Sequence, residues 1–445
     1  MNEILDNVVD RVFKKALEFN VDDASVIAAY GRENMARFSN NSITVVNTLD
    51  EMAVFLYMIK EGRRVVGVTY SVKSDELDKF VERLFSSMQF VEKSLEATSL
   101  PKGAFKYSGE NDYDKRIEEL SEGVVDYCES AINAALSEGA KRVSGTISAN
   151  TEFYKIKTTG GVEEYDRVSY ISANVRAFSE TNSSGHGLSC ATYLSKFHPD
   201  EAGKTAGNFA RESKKTGYWS EGEYDLILGP TVAADIFQMV GSSASAFRVD
   251  SGVSFFKDCL GKKVAVETLT VEDYGTVEGG FGGRKFDDEG VPTQKNVIIE
   301  KGVLKTYLHN TSTARKYNTV STGNAGIITP HPWNIVVGEG DMSVEEMIRE
   351  CKRAVYVTNN WYTRYQNYMS GEYSTIPRDA TFLIENGSIK YAINGTRISD
   401  SVPRQLSSIK AIGKDRRWVK WWEIEVPVYT PAILIEKSRI TKAQF

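Results

Sequence analysis

Tight turns between short apolar runs constrain this chain most. Asn296–Ile299 and Leu304–Leu308 flank Lys301-Gly302, and Ala380–Ile384 and Ile389–Ala392 flank Asn386-Gly387. Nearer the N-terminus, Met52–Ile59 and Val65–Tyr70 flank Lys60-Glu61-Gly62-Arg63. Glycine and asparagine tolerate the positive φ that such hairpins need, so each pair of runs is predicted to fold back as antiparallel strands. Amphipathic helices surround these hairpins. Ile4, Val8, Val12, Phe13, Ala16 and Leu17 form one stripe over residues 3–19, and Leu77, Phe80, Val81, Leu84 and Phe85 form another. Helices before, between and after antiparallel strands make the fold class α+β.

At about 150 residues per domain, a chain of 445 residues has room for roughly three domains. A helix–strands–helix plan occupies residues 1–96. Residues 97–111, with Pro101, Gly103 and Gly109, read as a linker. The plan then recurs over residues 112–216. It has a long helix from about Asp114 to Leu136, strand runs near Ser144–Ser148, Glu152–Thr158 and Val168–Phe178, and a helix from about Asp200 to Ser213. The recurrence suggests an internal duplication. Residues 217–445 form a larger, antiparallel, strand-rich domain. It opens with the strand Tyr224–Leu228, Gly229-Pro230 and a helix from about Thr231.

Several function classes are disfavoured. The net charge of −6 argues against a chain whose main partner is nucleic acid. Cys128, Cys190, Cys259 and Cys351 are too scattered for a disulfide framework or a zinc knuckle. The polar, acidic start lacks the pattern of a signal peptide, and no apolar run approaches the ~20 residues of a membrane span, so a cytoplasmic, membrane-free protein is expected. Only His186, His198, His309 and His331 could supply imidazole ligands, and none lies in an H-E-x-x-H match. Gly203-Lys204-Thr205 lacks the first glycine of a phosphate loop, because His198 stands there, and it falls inside a helix.

Two further segments invite a functional reading. Gly279-Gly280-Phe281-Gly282-Gly283, followed by Arg284, fails as a dinucleotide fingerprint, since Lys285 stands where a third glycine belongs. It reads as a flexible or sharply bent loop and is a candidate for touching substrate or partner. Arg416-Arg417-Trp418 and Lys420-Trp421-Trp422 place cations among aromatic rings, as single-strand nucleic-acid sites do. Alternation along a strand would send them to opposite faces, which favours packing or a protein interface.

Phe286-Asp287-Asp288-Glu289-Gly290-Val291-Pro292-Thr293, then Thr313-Ala314-Arg315-Lys316, Ser321-Thr322-Gly323-Asn324-Ala325 and Gly371-Glu372-Tyr373-Ser374 occur in order across the second half of the chain. So do Ile384-Glu385-Asn386-Gly387 and Thr430-Pro431-Ala432-Ile433. This ordered set resembles the TldD/PmbA family. By their own chemistry the segments look structural. Asp287, Asp288, Glu289 and Gly290 form a polar turn in which Gly290 can take a positive φ, and the acid trio is a weaker candidate for a divalent ion. Arg315, Thr322 and Asn324 are expected to hold loops through hydrogen bonds to the backbone.

The resemblance implies a peptidase system of two paralogous subunits. The TldD type carries zinc on an H-E-x-x-x-H helix with a later cysteine ligand, and the TldE (PmbA) type lacks that site. The family helix follows a Gly-Pro, matched here by Gly229-Pro230, and the motif positions are filled by Phe237-Gln238-Met239-Val240-Gly241-Ser242. Ile412, before Gly413-Lys414-Asp415, stands where the cysteine belongs. Phe237 and Ile412 offer no lone pair, Ser242 is a poor ligand and Gln238 cannot accept a proton. The resemblance therefore implies a TldE-type subunit with no catalytic residue, metal or cofactor of its own. Its expected partners are a TldD-type metallopeptidase subunit and a peptide or unfolded segment. A stand-alone peptide-binding or scaffold protein, homodimeric when alone, is the alternative.

Overall fold

The computed structural model describes residues 1–94, 99–107, 109, 111–326 and 328–443. Of the stretch 97–111 expected as a linker, residues 97, 98, 108 and 110 lie outside the described residues, as do residues 95 and 96 of the first unit.

The first unit runs α1 (Asn2–Leu17), β1 (Asp23–Ser39), β2 (Ser42–Lys60), β3 (Arg63–Thr69), α2 (Ser74–Ser87). The second begins with a single turn, α3 (Lys115–Glu118), and continues α4 (Val124–Ser137), β4 (Arg142–Thr158), β5 (Glu163–Glu180), β6 (Ser183–Ala191), α5 (Pro199–Glu212). The expected long helix is broken, because Ser121 sits at φ +45° between α3 and α4. The expected short strand runs merge instead into long ones, with β4 continuous through Ala149 and Asn150.

The two units share one six-stranded antiparallel sheet, in the order β3-β2-β1-β4-β5-β6. β1 and β4 pair from Ser25↔Thr158 to Phe38↔Gly145, so each unit completes the other's open edge. Leu5, Val9 and Val12 of α1 pack on Val54, Leu56 and Met58, while α4 and α5 cover the second half. Small residues bring α4 and α5 close. A side chain at Gly203 would meet the carbonyl of Ala131 at 2.2 Å, which is why the apparent phosphate-loop triplet is packing surface.

The remainder of the chain contributes β7 (Gly222–Leu228) and α6 (Pro230–Ser243), then β8 (Val271–Tyr274), β9 (Lys295–Glu300), β10 (Val303–Leu304) and β11 (Ile335–Val337). β12 (Arg353–Val357), β13 (Asn360–Asn367), β14 (Glu372–Pro377), β15 (Thr381–Glu385) and β16 (Ser388–Ala392) follow. The chain ends with β17 (Thr396–Ser401), β18 (Ile409–Ile412), β19 (Arg417–Trp421), β20 (Ile424–Thr430) and β21 (Ile433–Lys442). One sheet has the order β10-β9-β8-β11-β20-β19; the other has β13-β14-β17-β21-β7-β12-β15-β16, with β18 on β21. The domain is strand-rich but not wholly antiparallel, because β7–β12 and β11–β20 run parallel. These pairs join strands far apart in sequence, which tight turns cannot foretell. The predicted turns do adopt positive φ: Glu61 and Gly62, Lys301 and Gly302, Asn386 and Gly387. α6 lies in the apolar core between the two sheets, among Ile335, Val428, Ile398 and Ile433. The four cysteines are free thiols. Among the described residues no helix is long and apolar enough to cross a membrane.

Candidate functional site

α6 carries Phe237, Gln238 and Ser242, the residues that the family resemblance sets against a metal-binding helix. Gly229 caps it with extended backbone and Pro230 fills its first turn, where a missing N–H costs nothing. Gly241 lets the helix press onto β11, since a side chain there would meet Ile335 Cδ1 at 2.4 Å. Phe237 is fully buried in the same apolar core as Ile412, whose strand pairs Ile412 with Ile433. Ser242 is half-buried.

Gln238 is spent on the protein itself. Its Nε2 donates to Asp235 Oδ1 at 3.2 Å and to the Glu423 carbonyl at 2.9 Å, and its Oε1 accepts the Glu425 N–H at 3.1 Å. The amide thus ties α6 to the β19–β20 hairpin. Asp235, one turn earlier and fully buried, accepts Asn360 Nδ2 at 2.6 Å and Thr363 Oγ1 at 3.1 Å from β13. Burial pushes its carboxyl up to about 7, against the pull of those hydrogen bonds. Glu423 closes the clasp, its carboxylate accepting the Tyr362 N–H at 2.5 Å and Arg364 Nη1 at 2.9 Å.

This donor set does not fit zinc. Two apolar side chains, one hydroxyl and an amide engaged on both sides replace the ligands and base that such a helix would carry. Among the described residues no three His, Cys, Asp or Glu side chains converge on a metal-sized site. The histidines serve elsewhere. His186 Nε2 meets Asn174 Oδ1 at 2.9 Å and His309 Nδ1 meets Thr313 Oγ1 at 3.2 Å, and desolvation pushes both imidazoles down to about 4. Asp235, Asn360 and Glu423 escaped the sequence reading, since nothing marks a lone polar residue in an apolar stretch as the partner of another more than a hundred positions away.

The glycine-rich loop is bent and pinned rather than flexible. Gly279 N–H donates to Asp112 at 2.7 Å and Gly282 N–H to Asn334 Oδ1 at 2.8 Å, while Gly283 lies against Gly275 with no room for a side chain. Phe281 is buried and stacks on Tyr170 of β5 with ring centres 4.7 Å apart. Arg284 is turned inward, ion-paired with Asp288 and set over the rings of Tyr154 and Trp333. Gly280 is buried too, so only the backbone at Gly279 and Gly282 faces outward from this candidate loop.

The acidic turn splits three ways. Asp287 accepts the N–H groups of Glu289, Val291 and Ala325 at 2.9–3.0 Å, and burial next to Glu289 pushes its carboxyl well up. Asp288 turns to Arg284, and Glu289 accepts the Thr311 N–H at 2.9 Å. Gly290 takes φ +81°, and its carbonyl accepts Tyr107 O–H at 2.8 Å. The trio is a structural knot, with Ser25 of β1 donating to the Asp288 carbonyl. Asn324 donates to Asp273 Oδ2 at 2.6 Å and to the His331 carbonyl at 2.9 Å, and Thr322 accepts the His309 N–H at 2.7 Å. Arg315 departs from the expected loop-holding role. It lies exposed at the end of a short helix, where its side chain reaches no hydrogen-bond partner among the described residues.

Known proteins share this architecture. Residues 221–442 match the family described as the PmbA/TldA metallopeptidase C-terminal domain. A metalloprotease of Methanocaldococcus jannaschii is 35% identical over 205 residues, and that match spans 44% of each chain. A Thermotoga maritima crystal structure, described as a modulator of DNA gyrase, is 26% identical and superposes with a TM-score of 0.84 over 97% of this chain and 99% of its own. TldE from Thermococcus kodakarensis, at 20% identity, shares the fold with a TM-score of 0.85 over 98% of this chain and 100% of its own. The ordered motifs and these likenesses agree: the chain belongs to the TldD/PmbA family.

Proposed function

We propose that this chain is the non-catalytic, TldE-type subunit of a heteromeric cytoplasmic metallopeptidase, paired with an H-E-x-x-x-H paralogue that holds the zinc. One observation carries the reading: Phe237 and Ile412 are buried in the apolar core, Gln238 is spent on hydrogen bonds within the chain, and the fourth position holds only the half-buried hydroxyl of Ser242. A hydrolytic zinc site needs three protein ligands and a base for the bound water, and Phe237, Gln238, Ser242 and Ile412 supply neither. The subunit's task is then to shape the chamber and hold the substrate.

The long first sheet suits that task. β3 pairs with β2 only from Val54 onward, so the outer edge of β2 from Ser42 to Ala53 has no strand partner among the described residues. Val45, Val46 and Leu49 are exposed there. Such an edge can hold an extended peptide by main-chain hydrogen bonds, with little demand on its sequence. The test is co-purification from the native cell. The reading expects an H-E-x-x-x-H paralogue to come down with the tagged chain and peptide cleavage to follow that fraction. Recovery of the chain only as a homodimer or alone would favour a free-standing binding protein instead.

A further inference from the structure

A cleft of about 480 Å³ opens between the ends of β1, β4 and β5 and the tip of the β19–β20 hairpin. Its cationic wall comes from Arg37, Arg142 and Arg176, and no aspartate or glutamate lines it. In a chain of net charge −6 that local excess is notable. Arg176 is neutralised by Asp379 at 2.6 Å. Arg37 and Arg142 are exposed and, among the described residues, have no carboxylate partner. Arg142 instead lies 4.3 Å from the ring centre of Phe178.

The opposite wall is aromatic. Trp361 and Trp422 meet edge to face at 5.6 Å, and Trp422 is 51% exposed. The buried indole N–H groups of Trp361 and Trp421 have no acceptor among the described residues. The floor is close-packed at Gly145, where a side chain would meet the Asn174 carbonyl at 2.1 Å. The wall is also held in a costly shape. Tyr362 sits at φ +59°, a rare conformation for a bulky residue, fixed by its N–H bond to Glu423. Glu423 is the residue whose carbonyl Gln238 ties to α6, so the cleft stands on the degenerate metal helix. It also adjoins the free edge, because Arg37 of β1 is directly opposite exposed Val45 of β2.

We propose that this cleft is a subsite for a carboxylate-bearing extended peptide, its carboxylate at Arg37 and Arg142 and an adjacent apolar or aromatic side chain against Phe178, Trp361 and Trp422. Charge-assisted hydrogen bonds to guanidinium supply the selectivity, and the ring faces supply contact area. The pocket is one cluster of cations and not a track along a groove, which suits a peptide carboxylate better than a nucleic-acid backbone. The inference rests on the peptide-handling role proposed above.

Tryptophan fluorescence and calorimetry on the isolated full chain test it with four probes. These are the blocked peptide acetyl-Phe-Glu-Leu-Glu-Phe-amide, its Gln-for-Glu analogue, that analogue with a free C-terminal carboxylate, and a dodecamer of thymidylate. The Glu peptide or the free acid should bind at least about tenfold more tightly than the neutral amide, and whichever does so identifies the source of the carboxylate. The double variant Arg37→Gln, Arg142→Gln should erase that preference with an unchanged melting temperature, because both side chains are exposed. Trp422→Ala should weaken all peptides alike. Equal affinity for charged and neutral peptides, a preference that survives the double variant, tighter binding of the thymidylate, or no peptide binding would each overturn the subsite. These outcomes do not depend on a zinc-bearing partner, so the subsite and the subunit role can fail separately.

Discussion

Replacing Asp235 by asparagine probes the clasp that holds α6 to β13. The carboxyl is fully buried and accepts hydrogen bonds from Asn360, Thr363 and Gln238. Desolvation raises it from an ordinary 3.8 to about 7, so the folded chain holds this proton more tightly than the unfolded chain. The resulting stabilisation is complete below the unfolded value and is lost as pH rises through the folded one. A shift of about three units corresponds to about 4 kcal/mol, of which about 2–3 kcal/mol disappears between about pH 5 and pH 8. Asp273, also raised to about 7 by burial, adds a similar slope, whereas His186 and His309, lowered to about 4, act in the opposite sense at the acidic end. The difference between Asp235→Asn and the parent therefore isolates the one group. Urea unfolding at steps across that range should show a variant about 1–3 kcal/mol weaker at the acidic end, because an amide N–H then faces a donor, but with a visibly flatter decline. Parallel curves for variant and parent would refute a buried, proton-retaining Asp235.

Other perturbations follow from single contacts. Phe237→Ala should cost about 3–5 kcal/mol in urea unfolding, as a fully buried ring in the inter-sheet core does, while Phe237→Leu costs far less. Arg176→Ala strands the buried Asp379 carboxylate and should cost about 3 kcal/mol, with Asp379→Asn recovering part of it in a double-mutant cycle. Gly283→Ala puts a methyl group 2.0 Å from the Gly275 carbonyl, so the melting temperature should fall and the near-ultraviolet signal around Phe281 should change. Arg315→Ala should leave stability within about 0.5 kcal/mol, because the side chain is exposed and has no hydrogen-bond partner among the described residues.

Local features of this fold were legible in the sequence, and long-range ones were not. The helix with Val8, Val12 and Ala16 on its buried face and the turns at Gly62, Gly302 and Gly387 depend on neighbours a few residues apart, so periodicity and φ preference suffice, although Ile4 is exposed and Leu5 takes its place on that face. The ladder from Ser25↔Thr158 to Phe38↔Gly145 joins segments more than a hundred positions apart, and no local preference encodes it. The start of α6 was readable because Gly229-Pro230 marks it, with Gly229 as the cap and Pro230 in the first turn. What Gln238 does there was not, since its partners at Glu423 and Glu425 arrive from the other end of the domain. Glycine's permissiveness left the loop at Gly279–Gly283 open between flexible and sharply bent, and the structure shows it bent, with Gly282 and Gly283 permitting close backbone approach. Arg315 shows the converse limit: its motif marked the residue, yet its exposed side chain has no hydrogen-bond partner among the described residues.

Metal content tests the central claim most directly. The purified chain, dialysed against zinc and assayed by plasma mass spectrometry beside a fluorogenic peptide assay, should hold far less than one zinc per chain and cleave nothing. Addition of the H-E-x-x-x-H paralogue should bring both zinc and cleavage. Stoichiometric zinc on the isolated chain, lost in His309→Ala or His331→Ala together with peptide cleavage, would contradict a silent subunit.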